Sequence, residues 1–150
     1  MDIPYFVVHY SKNKDRKERL EKEFLKYEIS FVKWMSMNDR ENMSENEHLY
    51  VESKNSINKG QISLTLKHYF ALKDIVENEI SIAIIMEDNV TFKEDIKKKV
   101  NQYLKEAEIR KIEWDIIFEG DTHYLKYKEG KVRKDKLLYK KSNKVTKQCL

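Results

Sequence analysis

The segment whose residue types most clearly suggest chemistry is 84–90, where an apolar run ends in Glu87, Asp88 and Asn89. Oxygen atoms placed at the carboxyl end of a buried strand lie at the edge where open parallel sheets bind ligands. Hard cations prefer one or two carboxylates together with phosphate oxygens and water. Two interpretations are open: a Mg²⁺ or Mn²⁺ site that neutralises a diphosphate, or a polar junction in which Asp88 or Asn89 caps the next element.

The elements that must position these residues follow from the hydrophobic pattern. Short apolar runs rich in β-branched residues predict strands, and apolar residues at helical spacing among charges predict amphipathic helices. The predicted strands span residues 3–10, 29–35, 80–86 and 114–118, and the predicted helices span 14–27, 59–77 and 93–109. Ser11 or Asn13 is expected to cap the first helix, and the most apolar run, 80–86, predicts a central strand covered on both faces.

Alternation of strands and helices predicts an α/β fold with a mainly parallel sheet. Right-handed crossovers in such a fold bring the carboxyl ends of the strands to one edge of the sheet. Residues 36–58 are polar and lack a period, which predicts a long surface loop, and 124–133 predict a hairpin that turns at Glu129 and Gly130.

Length and composition limit the classes of protein to consider. The chain of 150 residues has room for one domain, and its one cysteine, Cys149, excludes a disulfide scaffold and a Cys-based zinc site. Lysines outnumber arginines by 25 to 5, and Ile and Asn are abundant beside them, a pattern typical of an AT-rich genome and weak support for nucleic-acid binding. Without a signal-peptide pattern or a run of ~20 apolar residues, the expected location is cytoplasmic.

Charge is distributed unevenly along the chain. Residues 121–150 contain 10 Lys and Arg against 3 Asp and Glu, a net charge of +7, which leaves −3 for residues 1–120. Two interpretations of the basic segment are open. It is either a solvated hairpin or a surface for an anionic ligand or for peripheral contact with a membrane.

Five segments in register resemble glycosyltransferase family 25, the group that includes lipopolysaccharide-biosynthesis and procollagen galactosyltransferase-like proteins. Residues 82–90 are similar to the family strand that ends in Glu-Asp-Asp. Residues 60–68, Gly-Gln-Ile-Ser-Leu-Thr-Leu-Lys-His, resemble its Gly-Glu-Ile-Gly-Cys-Ala-Leu-Ser-His signature. The other three are the first strand followed by Asp15-Arg16, the segment 34–39, and the Trp-Asp strand at 114–120.

The resemblance, which covers roughly residues 4–120, implies a GT-A-like, Rossmann-like nucleotide-sugar-binding sandwich that is incomplete at its C-terminus. It implies a donor-binding domain at 1–120 and a basic segment at 121–150 that begins the acceptor-side half. The implied activity is metal-dependent transfer of a sugar from a nucleotide sugar, with a UDP-sugar as the expected donor, to a hydroxyl of a glycan, a lipid-linked sugar or a protein. Mn²⁺ or Mg²⁺ is implied at Asp88 and Asn89. The residues implied to bind the donor are Val8, His9, Tyr10, Arg16, Ser36, Asp39, Gly60, His68 and Glu87.

Several of these residues also have a purely structural interpretation. Asp39 is expected to accept a hydrogen bond from a ribose hydroxyl, and Arg16 to hold a carboxylate or a phosphate. In the alternative, Arg16 is a surface charge, His9 is a partly buried histidine, and His68 bonds a backbone carbonyl. Gly60 then serves a backbone turn or close packing at the start of a helix.

The sequence departs from the family pattern at Asn89, which replaces the second Asp, and at Ser63, Leu64 and Lys67, which replace Gly, Cys and Ser. A neutral amide contributes no charge, so a weaker metal site is expected. No residue stands out as the general base that the transfer needs. The alternative function is therefore a catalytically inactive binding or partner subunit. A nucleic-acid-binding module is a third class, which the scarcity of arginine disfavours.

Overall fold

The computed structural model describes residues 2–44 and 58–117. The hairpin predicted at 124–133, the basic segment and part of the long loop predicted at 36–58 lie outside the described residues. The chain divides between Lys93 and Glu94 into two compact units. The domain boundary predicted at residue 120 also lies outside the described residues and stays a prediction.

The first unit contains a parallel three-stranded sheet, which confirms the predicted α/β class. The strands are β1 (Tyr5–Val8), β2 (Val32–Met35) and β3 (Ile84–Glu87), arranged in the order β2-β1-β3. Tyr5 pairs with Val32 on one side and with Ile84 on the other. The three strands therefore begin and end level with one another, and their carboxyl ends form a single edge.

Two helices join the strands of this unit, and both match the predicted ranges closely. Helix α1 (Lys14–Lys26) connects β1 to β2, and helix α2 (Lys59–Glu77) lies between β2 and β3. Helix α2 begins with a capping box, in which the side chain of Asn58 accepts from the Gln61 N–H and the Gln61 side chain accepts from the Asn58 N–H. This reciprocal pair satisfies two of the backbone N–H groups that have no acceptor within the helix at its start.

The two faces of the sheet are packed differently because successive strand residues point to opposite sides. On one face Phe6 and Met35 form a buried cluster with Ala71 of α2. On the other face Tyr5 contacts Phe24 of α1, with ring centroids 6.1 Å apart. All four residues of β1 are buried, so β1 is the central element of the core.

The structure corrects three sequence expectations about these elements. Strand β3, predicted to be central and covered on both faces, is an edge strand of the described sheet and is largely half-buried. Residues 114–117, predicted as part of a buried strand, form no strand, and Trp114 and Ile116 are exposed. Asn13 occupies the N-cap position of α1, but its side chain makes no capping hydrogen bond.

The second unit contains helix α3 (Ile96–Ile109), shorter at its start than the predicted 93–109. Asp95 occupies the N-cap position, and its side chain accepts a hydrogen bond from the Lys98 N–H. Asp95 therefore caps the helix, whereas the sequence had suggested Asp88 or Asn89 for a cap. Among the described residues, no helix is both long and apolar enough to cross a membrane.

The three helices of the described residues all end in the same hydrogen-bonding pattern. A residue with a left-handed φ follows each helix cap, and the next residue is an isoleucine whose N–H returns to the carbonyl five residues earlier: Ile29 to Phe24, Ile80 to Ile75, and Ile112 to Ala107. This is the Schellman motif, in which glycine usually takes the left-handed position. Here Glu28, Glu79 and Lys111 occupy that position, with φ of 53°, 51° and 49°.

Candidate functional site

The candidate site lies at the carboxyl edge of the sheet, where the three parallel strands end together. His9 and Tyr10 follow β1, Ser36 follows β2, and Asp88 follows β3. The strand hydrogen bonding continues one residue beyond the strands, because the His9 N–H donates to the Met35 carbonyl and the Asp88 N–H donates to the Val8 carbonyl. Strand pairing thus fixes the backbone under the side chains that the sequence singled out.

Asp88 is a buried carboxylate that bonds two different elements at this edge. Only 5 % of its surface is exposed, and its two oxygens face different partners. Oδ2 lies 2.8 Å from Nδ1 of His9, and Oδ1 accepts from Nη1 of Arg16 at 3.0 Å. Arg19 adds a third contact by donating to the Asp88 carbonyl at 2.9 Å. Asp88 therefore ties β1 and helix α1 to the end of β3.

The protonation state of Asp88 follows from these contacts. Burial by itself would raise the pKa of the carboxyl group, because it disfavours the charged form. Hydrogen bonds from His9 and Arg16 outweigh burial and hold the pKa of Asp88 below its usual value. The group is a stable carboxylate at neutral pH and suits a structural or electrostatic role better than proton transfer.

Asp39 forms a second buried cluster at the same edge, and its partner is Lys67 of helix α2. The ammonium group of Lys67, 3 % exposed, donates both to Oδ1 of Asp39 and to the His9 carbonyl, the latter at 2.6 Å. Oδ2 of Asp39 accepts from the hydroxyl and the N–H of Ser11. Burial alone would raise the pKa of Asp39, but the bonds from Lys67 and Ser11 outweigh it and lower that pKa.

Helix α2 holds the loop after β2 at two points one turn apart. Lys67 bonds Asp39, and the hydroxyl of Ser63 donates to the Asn38 carbonyl at 2.7 Å. Asn38 has a left-handed φ of 57°, a conformation that asparagine tolerates better than most residues. The backbone at 38–39 is consequently fixed against α2 despite lying in a loop.

Glu87 and His68 form a more open pair beside the two buried clusters. Oε1 of Glu87 lies 3.8 Å from Nε2 of His68, and both side chains are partly exposed. The neighbouring His68 lowers the pKa of Glu87, and this effect outweighs partial burial. The amide of Asn89 also approaches Glu87, at 3.5 Å. Glu87, His68 and Asn89 are therefore the accessible polar groups at the end of β3.

Tyr10 and two residues of the loop after β2, Arg40 and Glu41, form a surface cluster. The Tyr10 hydroxyl donates to Oε1 of Glu41 at 2.6 Å, and the guanidinium of Arg40 lies over the Tyr10 ring, 4.6 Å from its centroid. The bond from Tyr10 lowers the pKa of Glu41 to about 2. This cluster and the Asp39 cluster both join the loop after β1 to the loop after β2.

The arrangement of oxygens can be compared with what a divalent cation needs. Both oxygens of Asp88 already accept hydrogen bonds, and the positive charge of Arg16 beside Oδ1 opposes a second cation there. Within residues 2–44 and 58–117, no group of three or more His, Cys, Asp or Glu side chains is arranged to hold a metal. The described geometry does not fit a cation held directly by Asp88 and Asn89, so we assign no chemical step to a metal. Dependence on Mn²⁺ or Mg²⁺ stays a prediction from sequence.

The structure brings most of the predicted donor-binding residues to one edge, with different accessibility. Val8, His9 and Asp39 are buried, whereas Tyr10, Arg16, Ser36, His68 and Glu87 are exposed or half-buried. Gly60 lies in the first turn of α2, where an added Cβ would come 3.1 Å from Oδ1 of the capping Asn58. Close packing at the helix start therefore explains why a small residue occupies position 60. Their roles in contacting the donor stay predictions.

Two residues with central positions were not among the sequence candidates. The sequence shows Lys67 only as a departure from the family pattern, where it replaces Ser, and gives no separate signal for Arg19. A signal for Lys67 existed, because it lies on the same helical face as Ile62, Ser63 and Leu66, which are all buried. A lysine on a buried face requires an anionic partner, although the sequence could not show that the partner is Asp39.

Comparison with known protein families decides the relationship of the chain. The profile described as "Glycosyltransferase family 25 (LPS biosynthesis protein)" matches residues 2–149, nearly the whole chain. The chain belongs to glycosyltransferase family 25. The resemblance seen in the five sequence segments is thereby confirmed.

Its curated relatives include proteins named procollagen galactosyltransferases and proteins named inactive family members. Human procollagen galactosyltransferase 2 is 25% identical over 126 residues, and mouse inactive glycosyltransferase 25 family member 3 is 25% identical over 125 residues. The bovine probable inactive family member 3 is 27% identical over 125 residues. Each match covers 77% of this chain but only 20% or 21% of the relative. The chain therefore spans about a fifth of the length of these relatives. No solved structure matches.

Proposed function

We propose that this chain binds a nucleotide sugar at the carboxyl edge of its sheet and takes part in transfer of the sugar to a hydroxyl group. The observation that carries the proposal is the convergence of three strand ends on one edge, tied together by Asp88 and Asp39, in a member of a glycosyltransferase family. Ligands of open parallel sheets bind at this edge. A GT-A-type arrangement for the whole protein is part of the proposal.

Arg16 is the residue best placed to recognise the diphosphate of such a donor. One nitrogen of its guanidinium bonds Asp88, while 51 % of the side chain is exposed. Guanidinium groups carry five N–H donors, so the remaining donors can bind phosphate oxygens. Asp88 fixes the orientation of Arg16, which reduces the entropy lost when the ligand binds.

The other accessible groups suggest roles around the same ligand. Ser36 and Tyr10 lie after adjacent strands, where the base and ribose are expected. Glu87, the last residue of β3, lies beside His68 of helix α2. Because relatives are named galactosyltransferases, UDP-galactose is the first donor to test. A glycan, a lipid-linked sugar or a protein is the proposed acceptor. Contact of the basic segment 121–150 with a membrane, and a cytoplasmic location, stay predictions from sequence.

A non-catalytic binding or partner subunit is the second candidate. Two observations favour it: relatives named inactive match as well as those named as galactosyltransferases, and the carboxylate of Asp88 is already engaged by His9 and Arg16. This candidate shares donor binding with the first and differs only in turnover. Binding and turnover must therefore be measured separately.

The test is calorimetric titration with UDP-galactose and a panel of other nucleotide sugars, with and without Mn²⁺, beside an assay for nucleotide release. We expect Arg16→Gln to weaken donor binding at least about tenfold, because a charge-assisted hydrogen bond contributes about 1.5–3 kcal/mol. Lys22→Gln, which removes one positive charge from an exposed position of the same helix, is the matched control and should bind normally.

The outcomes separate the two candidates. Donor binding with nucleotide release in the presence of a hydroxyl acceptor supports the transferase, and binding without release supports the non-catalytic relative. Absence of binding for every donor, with and without Mn²⁺, would contradict both. An equal loss in Arg16→Gln and Lys22→Gln would show that only overall charge matters and would remove Arg16 from the site.

A further inference from the structure

Lys67 is the most deeply buried cation among the described residues at the sheet edge, and no candidate role accounts for it. Its ammonium group is 3 % exposed and has two partners, the Asp39 carboxylate and the His9 carbonyl. A buried charge of this kind is retained only when it is paired and hydrogen-bonded. The question is what this pairing does beyond satisfying the charge.

The partners of Lys67 lie on two separate loops. The first loop, residues 9–13, follows β1 and contains His9 and Ser11; the second loop, residues 36–42, follows β2 and contains Asp39. Ser11 bonds Asp39 through both its hydroxyl and its N–H, and the Asn42 N–H donates to the Asp39 carbonyl at 2.7 Å. One ammonium group therefore joins both loops to the rigid helix α2.

Electrostatics adds a second consequence. Without Lys67, the negative charge of Asp39 would remain buried beside a site proposed to receive a diphosphate. A like charge at close range disfavours an anionic ligand, and an unpaired buried charge destabilises the fold. Lys67 cancels this charge where solvent cannot screen it.

We infer that Lys67 is a positioning residue that locks the first and second loops in their ligand-binding conformation before the ligand arrives. The lock, which we call the loop clamp, consists of Lys67, Asp39 and Ser11. The identity of the ligand in this inference rests on the proposed function, whereas the locking of the two loops by Lys67 does not. Both loops carry residues proposed to contact the nucleotide, so the clamp prepares the donor site by reducing the entropy lost on binding.

The test combines amide hydrogen exchange with donor titration on the full chain. In Lys67→Met we expect the amides of Ser11 and Asn42 to exchange about tenfold faster or more, because the contacts that hold both loops are lost. Amides of β1 should keep their protection relative to global unfolding. Lys73→Met, which removes an exposed lysine from the same helix, is the matched control and should leave the amides of both loops unchanged.

A second variant guards against failure of Lys67→Met to fold. Lys67→Met combined with Asp39→Asn removes both charges, so no buried charge remains unpaired. We expect the double variant to regain thermal stability over the single variant, while the Asn42 amide still exchanges faster than in the wild type. Donor affinity should stay about tenfold or more below the wild type, because the loops must now be ordered by the ligand.

The measurements distinguish failure of the clamp from failure of the proposed function. Wild-type protection of Asn42 in the double variant would overturn the clamp, whatever the donor result. Recovery of both stability and donor affinity in the double variant would also overturn the clamp. It would show that Lys67 only neutralises the buried charge of Asp39. If the wild type binds no donor, the proposed function fails and exchange alone decides the clamp.

Discussion

At the scale of single residues, the chemistry of the site depends on two buried carboxylates that serve as connectors. Asp88 holds His9 and Arg16, and Asp39 holds Lys67 and Ser11. Each was predicted from sequence to contact a metal or a ribose. In the structure the oxygens of both carboxylates already accept hydrogen bonds within the protein. Arg16, which Asp88 orients, remains accessible to a ligand.

Acid should weaken the fold through these carboxylates. The pKa values of Asp39 and Asp88 lie below the usual value in the folded protein, so at low pH the unfolded chain binds more protons. The stabilisation they provide is present above the unfolded pKa of about 4 and is lost as the pH falls through the folded values. Denaturant titrations across this range should show the free energy of unfolding decreasing toward acid, with a smaller decrease in Asp88→Asn.

The control for that measurement is Asp2→Asn, an exposed carboxyl group at the N-terminus for which no such network exists among the described contacts. Its acid profile should match the wild type. A profile of Asp88→Asn that is parallel to the wild type down to the acid limit would show that Asp88 contributes no pH-dependent stability.

At the scale of elements, the helix ends show how a glycine-poor chain solves a turn that usually uses glycine. The chain has 3 glycines, and none occupies the left-handed position of the three Schellman motifs. A side chain in that conformation costs roughly 1–2 kcal/mol relative to the right-handed helix region. The isoleucine that follows each of these positions contributes burial or packing that helps to fix the turn.

Replacing the strained residue with glycine should therefore stabilise the protein. We expect Glu79→Gly and Lys111→Gly each to raise the free energy of unfolding by roughly 0.5–1 kcal/mol, because relief of strain exceeds the added entropy of the unfolded chain. Chemical denaturation measures this directly. Glu77→Gly, two residues earlier and still inside helix α2, is the control and should destabilise by a similar amount. A loss of stability in both Glu79→Gly and Lys111→Gly would refute this account of the turns.

At the scale of the whole first unit, the two buried networks are not independent. His9 belongs to both, since its ring contacts Asp88 and its carbonyl accepts from Lys67. Strand β1 thus carries the link between the end of β3 and the loop after β2. A change at one network should alter the geometry available to the other.

A double-mutant cycle measures this coupling. We expect the destabilisation of Asp88→Asn combined with Asp39→Asn to differ from the sum of the single changes by about 0.5–3 kcal/mol, as found for residues in one network. Asp88→Asn combined with Glu79→Gly, which shares no described partner with it, is the control and should be additive. Additivity within error for the first pair would show that His9 does not couple the networks.

Much of the fold could be predicted because it depends on local patterns. Short apolar runs located β1 and β2, and apolar residues at helical spacing located α1 and α2, to within a few residues. The same pattern placed a strand at 80–86, which includes most of β3, but it failed to show that β3 is an edge strand of the described sheet, because an apolar run does not report which strand is central. It also failed at 114–117, where an apolar segment with strand propensity forms no strand in the structure.

The sequence by itself determined the family, the α/β class and the edge at which the polar residues gather, because these follow from residue order and the direction of parallel strands. Only the tertiary structure decided the partners of those residues. Lys67 and Asp39 are 28 positions apart, and His9 and Asp88 are 79 apart. Contacts over such separations depend on how helices cross the sheet. That geometry paired both carboxylates with side chains of the protein and gave an unexpected lysine a central position.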